Sequence, residues 1–229
     1  RKKNVKQVDR PAGLVAGFMR AMMFPLRWLA TWLARIALAL AAACLALIVL
    51  YTVINPPTTI TILSEARRLG NVDKQWTPFD EIAPVMARSV VAAEDANFCL
   101  HWGFDMGAIR QALDEGAGRG ASTISQQAVK NVFLWQGRSW PRKALEALLT
   151  PPVELIWSKK RILEIYLNVA EFDEGVFGVN AAAFRYFRTT PDKLTPEQAA
   201  LLAAILPDPK ARSAKNPSDF TRSKAARIV

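Results

Sequence analysis

From Ile36 to Ile54 the chain runs nineteen residues without a charge, and Thr52 is its one polar interruption. At about 1.5 Å per residue, a helix of that length covers roughly the 30 Å hydrocarbon core of a bilayer. Only a helix satisfies such a backbone there. A buried core helix would carry polar residues on its outward face, and this stretch has none. A cleaved signal peptide would have a shorter apolar run followed by small residues, whereas Asn55, Pro56 and Pro57 follow here. The pattern predicts a transmembrane helix over 36–54. Ahead of it, residues 14–33 mix Arg20, Arg27, Trp28 and Trp32 with Leu, Met and Phe, the composition of an interfacial lead-in.

Beyond the span the apolar spacing is helical almost throughout. Val85, Met86, Ser89, Val90 and Ala93 keep three-four spacing up to Glu94, which predicts an amphipathic helix ending there. Asp105 is the expected N-cap of a helix with Met106, Ile109 and Leu113 inward, running into Gly116, Gly118 and Gly120. Ser122 is expected to cap a helix reaching about Leu134, with Ile124, Ala128 and Val132 on one face. Ser122, Gln126 and Lys130 fall on a nearly opposite one. Further helices are expected over 141–149, 153–168, 179–187 and 196–205. Thr195, Pro196 and Gln198 give the last of these a capping box with proline at its first position. Pro151 and Pro152 each lack a backbone donor and should kink the chain soon after Glu146. The β-branched run 58–63 is the one strand expected. No internal repeat is evident. The fold class is mainly α: a basic tail over 1–35, a single N-terminal transmembrane helix over 36–54, and a helical domain over 55–229.

Charge adds an orientation. The formal net charge is +10, yet residues 1–35 hold eight basic side chains against one acid, Asp9, and so carry +7 of it. The basic balance belongs to the tail, which argues against nucleic-acid binding. By the positive-inside rule the N-terminus is cytoplasmic and the domain lies outside. Of two cysteines, Cys44 falls within the span and Cys99 beyond it, so no disulfide scaffold is expected. One histidine makes a His/Cys zinc site a poor candidate too.

Candidate chemistry gathers in three places. The segment Glu94-Asp95-Ala96-Asn97-Phe98-Cys99-Leu100-His101-Trp102-Gly103 puts an acid pair at the end of an apolar helix. A carboxylate at a cleft rim suits a general base; an acidic helix end running into a loop is the plainer reading. The segment Gly120-Ala121-Ser122-Thr123-Ile124-Ser125-Gln126-Gln127, with Lys130 beyond it, presents free N–H groups and hydroxyls that suit phosphate oxygens. An ordinary capped helix would look the same, and the nucleotide-binding Gly-Lys-Ser/Thr run is absent. Arg138, Arg142 and Lys143 put three bases within six residues, followed by Glu146. Arg142 and Glu146 stand at i, i+4 and would make a surface ion pair; the cluster fits a phosphate-binding or membrane-facing wall as well.

Taken together, these segments resemble the family 51 glycosyltransferases, the polymerases of peptidoglycan, and most nearly their monofunctional biosynthetic transglycosylases. The shared elements are Glu94 to Gly103, Gly120 to Gln127, Arg142 to Glu146, and Lys159 followed by Ile162-Leu163-Glu164-Ile165-Tyr166-Leu167-Asn168. Ser125 stands where the family usually has Thr, and Ala121 where Gly is frequent.

The resemblance implies a lysozyme-like helical domain on the outer face of a bacterial inner membrane. It implies a reaction that joins lipid-linked disaccharide-pentapeptide into β-1,4 glycan with inversion and release of polyprenyl pyrophosphate. It makes Glu94 the catalytic base and Glu146 a second, supporting carboxylate. Ser122, Gln126, Lys130, Arg138, Arg142 and Lys143 would bind substrate and its phosphates. No cofactor is required by the pattern and no metal ligands are assigned; a divalent cation, Mg or Mn, is a candidate to share the phosphate charge. The implied partners are the lipid-linked precursor, the growing glycan chain and membrane lipid, with other cell-wall synthesis proteins as further candidates. The sequence contains no Ser-x-x-Lys, so a transpeptidase site is not expected. The alternative is a lysozyme-like hydrolase or lytic transglycosylase, which would also use a glutamate on a helical domain. A non-catalytic scaffold that binds precursor would not need Glu94.

Overall fold

The computed structural model describes residues 12–114, 120–137 and 139–229, with side chains from Arg27 onward. The chain divides into two compact units, Arg1–Leu47 and Ile48–Val229. The first is helical: α1 runs from Ala12 to Leu50 with no break between the expected lead-in and span. Its stretch Arg27–Leu50 is long and apolar enough to cross a membrane, and only 6% of its apolar window is buried within the protein. Trp28 and Trp32 meet edge to face, and the Arg35 guanidinium lies over the Trp32 ring.

The globular unit opens on the last turn of that helix. Ile48 is buried, and its carbonyl accepts a 2.6 Å hydrogen bond from Trp157 Nε1. Residues 51–53, expected inside the span, form a turn instead. Arg161 is the reason, because its guanidinium donates to the carbonyls of Tyr51 and Ile54 and to Asn55 Oδ1 at 2.8–2.9 Å. The two carbonyls belong to the turn just past the helix end at Leu50.

The segment expected as a strand is part of a helix, α2, Ile60–Leu69. Thr59 Oγ1 accepts from Ile62 N and caps its start, and Gly70, at φ +81°, closes it in the left-handed conformation a side chain disfavours. Caps at both ends outweigh the β preference of Thr and Ile. Three short strands follow, β1 (Asp73–Lys74), β2 (Glu171–Asp173) and β3 (Val176–Phe177), in the order β1-β3-β2, with β1/β3 parallel and β2/β3 antiparallel.

Eight further helices are described: α3 (Pro84–Glu94), α4 (Met106–Asp114), α5 (Ile124–Phe133), α6 (Trp140–Ile156), α7 (Lys159–Val169), α8 (Gly178–Phe187), α9 (Pro196–Ile205) and α10 (Asp219–Ile228). The domain is mainly helical, as its spacing predicts. Helix α5 forms the centre, with Ile124, Ala128 and Val129 fully buried, and packs on α6 and α7. Met86 and Val90 of α3 are fully buried, and α3, α9 and α10 form a second packed set.

Four further expectations are corrected. In α4, Asp105 Oδ1 does accept from Ala108 N at 2.9 Å, but Met106 and Leu113 are exposed and Ile109 is half-buried. No other described element packs extensively on this helix. Helix α5 is capped by Thr123 rather than Ser122, with Gln126 closing a capping box. Helix α6 continues through Pro151 and Pro152. The carbonyls they leave without donors belong to Ala147 and Leu148, and Leu148 is exposed. The helix expected over 153–168 is broken at Trp157, where Ser158 Oγ accepts from Arg161 N and starts α7. Helix α10 was not expected at all; Ser218 caps it.

Candidate active site

Glu94 is the last residue of α3, so its carboxylate leaves the helix end at the edge of the packed core. Its side chain is 8% exposed. Oε2 accepts from Gln127 Nε2 at 3.0 Å, and Oε1 faces Lys224 Nζ of α10 at 3.9 Å. Burial pulls the Lys224 ammonium down from its usual value, and the Glu94 charge works against that shift. Neither partner was named as a site residue from sequence. Gln127 sits inside a recognised segment, but Lys224 belongs to a helix that carries no distinguishing pattern.

Asp95, next along, has a structural task. Its Oδ2 accepts from Ile124 N at the start of α5, and its Oδ1 pairs with His101 Nε2, both at 2.9 Å. Gly103 N donates to His101 Nδ1 at 3.1 Å, so Nε2 is the protonated nitrogen and points at Asp95. A carboxylate at a helix N-terminus also meets the favourable end of the helix dipole. One aspartate therefore ties the Glu94 segment to the Ser122 segment.

Gly103 completes this junction at φ +88°. A Cβ there would stand 2.5 Å from Thr150 Cγ2 and 3.1 Å from Glu154 Cγ on α6. Its carbonyl accepts from Thr123 Oγ1 at 2.7 Å. Beneath it Glu154, 3% exposed, receives Ser125 Oγ and, at 2.8 Å, Lys159 Nζ. Lys159 also donates to the His101 carbonyl at 2.8 Å and lies 4.5 Å from the Phe98 ring centre. Asn168 is fully buried and clamps Thr77 through both its backbone groups, at 2.7 and 2.9 Å. Much of the recognised sequence pattern thus holds the scaffold.

The basic wall stands on α6. Glu146 is 3% exposed, and both of its oxygens are occupied: Oε2 by Arg142 Nη1 at 2.7 Å and Oε1 by Lys143 Nζ at 2.5 Å. Arg142 Nε also donates to the Gly137 carbonyl. Lys143 Nζ reaches Ser122 Oγ at 3.0 Å, which brings the second and third clusters into contact. Gln126 is 4% exposed, and its Oε1 accepts from Thr123 N. That bond engages the side-chain oxygen as a cap of α5.

Lys130 lies one turn further along α5 and makes no hydrogen bond or ion pair with another described residue. Burial lowers its pKa; Glu146 opposes the shift, while Arg142 and Lys143 add to it. Arg138 lies outside the described residues.

Two cavities of about 310 Å³ each are lined by residues of these segments. One is lined by Glu94, Asp95, Asn97, Asp105 and Gly120 to Thr123, the other by Gln127, Lys130, Asn131, Tyr166 and Lys210 among others. Glu94 of the first is hydrogen-bonded to Gln127 of the second. A larger cavity, about 810 Å³ and lined by Asp73, Asn180 and Arg188 among others, contains none of these groups. Among the described residues, no three His, Cys, Asp or Glu side chains gather to hold a metal ion.

The arrangement offers a carboxylate beside a hydroxyl that an ammonium already holds. Residues 61–229 match the Transglycosylase family. This chain belongs to that family. It is 55% identical over 228 residues to the biosynthetic peptidoglycan transglycosylase of a Jannaschia species, covering 100% of this chain and 91% of that protein. It is 57% identical over 159 residues to the protein of that name from Escherichia coli, and 55% identical over 159 residues to that of Shigella sonnei. Each of those matches covers 67% of this chain and 66% of the relative. The protein is a peptidoglycan glycosyltransferase, acting on peptidoglycan precursors and glycan chains. The transglycosylase carries one described helix suited to anchoring it in a membrane.

Proposed function

We propose that this transglycosylase polymerises lipid-linked disaccharide-pentapeptide into β-1,4 glycan strands, with Glu94 as the catalytic base. The observation that carries this reading is that Glu94 and Ser122 line one cavity, while the Ser122 hydroxyl is held by Lys143 of the Arg142–Lys143–Glu146 wall. A base and a phosphate-holding wall are thereby joined. The 4-hydroxyl of the acceptor sugar attacks the anomeric carbon of the growing chain. Its proton passes to Glu94 as the new C–O bond forms. The bond to pyrophosphate breaks with its electron pair on the departing oxygen, and a single displacement inverts the anomeric centre. General base catalysis of this kind contributes about 10²–10⁴-fold.

Lys130, Arg138 and Lys143 stabilise the leaving pyrophosphate. Lys130 suits the task because it is partly desolvated and unpaired within the described protein, so an arriving phosphate relieves a cost the fold carries. Glu146, with each oxygen held by Arg142 or Lys143, holds the wall in place as a supporting carboxylate. Exposed apolar side chains at Leu100, Trp102, Trp140, Leu148 and Leu155, on or beside the segments that carry the site, favour a substrate with a lipid tail. The basic N-terminal tail lies in the cytoplasm, the apolar stretch of α1 that ends at Leu50 crosses the bacterial inner membrane, and the domain that follows works on its outer side. Confining the enzyme to the membrane keeps it in the plane of both substrates.

The test is incubation of the full chain with lipid-linked precursor. Polymer and free polyprenyl pyrophosphate are expected, with no cleavage of finished glycan. Cleavage of finished glycan without polymer formation would establish the lytic alternative instead.

A further inference from the structure

The two oxygens of Glu94 are not equivalent. Oε2 accepts a 3.0 Å hydrogen bond from Gln127 Nε2, while Oε1 accepts none from the described residues and faces the Lys224 ammonium at 3.9 Å. That separation is an ion pair at its outer limit and too long for a hydrogen bond. Oε1 therefore keeps its lone pairs available.

What turns the Gln127 amide toward Glu94 is Tyr166. A glutamine side chain offers a carbonyl oxygen on one side and an NH₂ on the other, and a half-turn about its last bond exchanges them. The exchange would place an amide oxygen against the carboxylate, two acceptors face to face. Tyr166 Oη donates to Gln127 Oε1 across 3.3 Å and marks that side as the acceptor. The amide's other hydrogen reaches the Ser122 carbonyl at 3.5 Å. Tyr166 is 1% exposed, and burial together with the Glu94 charge holds its hydroxyl well above its ordinary pKa. It stays protonated, and so a donor, at neutral pH. Among the described residues, Gln127 is the only hydrogen-bond partner of this hydroxyl.

We propose that Tyr166 and Gln127 are positioning residues that fix Glu94 by its Oε2, so that Oε1 is the oxygen that takes the acceptor proton. This rests on Glu94 being the base. The relay explains why a fully buried tyrosine of α7 ends in a hydroxyl next to a catalytic cavity rather than in a ring edge. It also separates the duties of two adjacent glutamines: Gln126 closes the α5 cap, and Gln127 orients the base.

The experiment is a double-mutant cycle on the full chain, read as kcat and KM for lipid-linked precursor. Thermal melting of each variant scales the rates to folded protein. Tyr166→Phe keeps the ring and removes only the donor. Its kcat is expected to fall about 10-fold, within the range for a misplaced catalytic group, while KM stays within about 2-fold because the buried ring does not hold substrate. Gln127→Ala is expected to fall at least as far, and Tyr166→Phe added to Gln127→Ala is expected to cost nothing more. A Tyr166→Phe enzyme with wild-type kcat overturns the relay. So does a double variant whose loss is the product of the two single losses. If the wild type polymerises but Glu94→Gln does so equally well, the base assignment fails and not merely the relay.

Discussion

Lys143 Nζ donates to Ser122 Oγ at 3.0 Å, and through that contact the start of α5 and the cationic face of α6 become one surface. Neither residue's neighbours in sequence indicate the other. The same ammonium binds Glu146, which in turn holds Arg142, so a buried carboxylate fixes the geometry of the wall. Replacing Glu146 by Ala leaves Arg142 buried without its counter-charge. Breaking such a pair from one side costs about 3–5 kcal/mol. A denaturant melt of Glu146→Ala should show a loss of that size. A stability within about 1 kcal/mol of wild type would mean that the wall stands without it.

Lys130 should show a trade between stability and function. Burial lowers its folded pKa below the ordinary 10.5, so at neutral pH the charged lysine opposes folding, and that cost is relieved as pH rises through the folded value toward 10.5. Lys130→Met is therefore expected to melt no lower than wild type at pH 7. A gain of up to about 1 kcal/mol would appear as roughly 2–4 °C. Turnover at saturating precursor should fall, with each lost charged contact to the pyrophosphate worth about 1.5–3 kcal/mol. Arg138→Ala should lose turnover in the same way. A phosphoglycolipid mimic of the growing chain should bind both variants more weakly than wild type, and normal turnover with unchanged mimic binding in both would remove them from the donor site.

Much of this was legible from the chain, and for identifiable reasons. Helix α9 announces itself through Thr195, Pro196 and Gln198, because a capping box and an N-terminal proline are local chemistry. The residues that line the site were legible as segments, but their division of labour was not. Ser122 and Thr123 are adjacent hydroxyls, and only the direction of the chain decides that Thr123 caps α5 while Ser122 meets Lys143. The run 58–63 reads as a strand by composition, and only Thr59 and Gly70 acting together make it helical. Lys224 reaches Glu94 because α10 packs on α3 and α9, a tertiary fact with no periodic trace.

Gly103 should tolerate no side chain. At φ +88° with Thr150 Cγ2 at 2.5 Å from a built Cβ, Gly103→Ala combines backbone strain of about 1–3 kcal/mol with a steric clash. Chemical denaturation should show a loss of at least about 2 kcal/mol. A stability equal to wild type would mean that the Glu94-to-Gly103 segment does not lock onto α6 as described.

Topology can be read independently of activity. A reporter fused after residue 70 should score outside the cytoplasm and one fused near residue 10 inside, as the +7 tail ahead of an uncharged stretch requires. A domain cleaved by protease supplied from the cytoplasmic side would reverse the orientation and remove access to the proposed substrate.

The central claim is that the Glu94 carboxylate takes the acceptor proton, and Glu94→Gln tests it most directly. The amide keeps the size of the side chain and can still meet Gln127, but it cannot accept a proton. Polymer formation from lipid-linked precursor should drop at least about 100-fold, with the melting temperature and membrane insertion of the wild type retained. A folded Glu94→Gln enzyme that keeps more than about a tenth of the wild-type rate, far short of the loss general base catalysis entails, would place the base elsewhere.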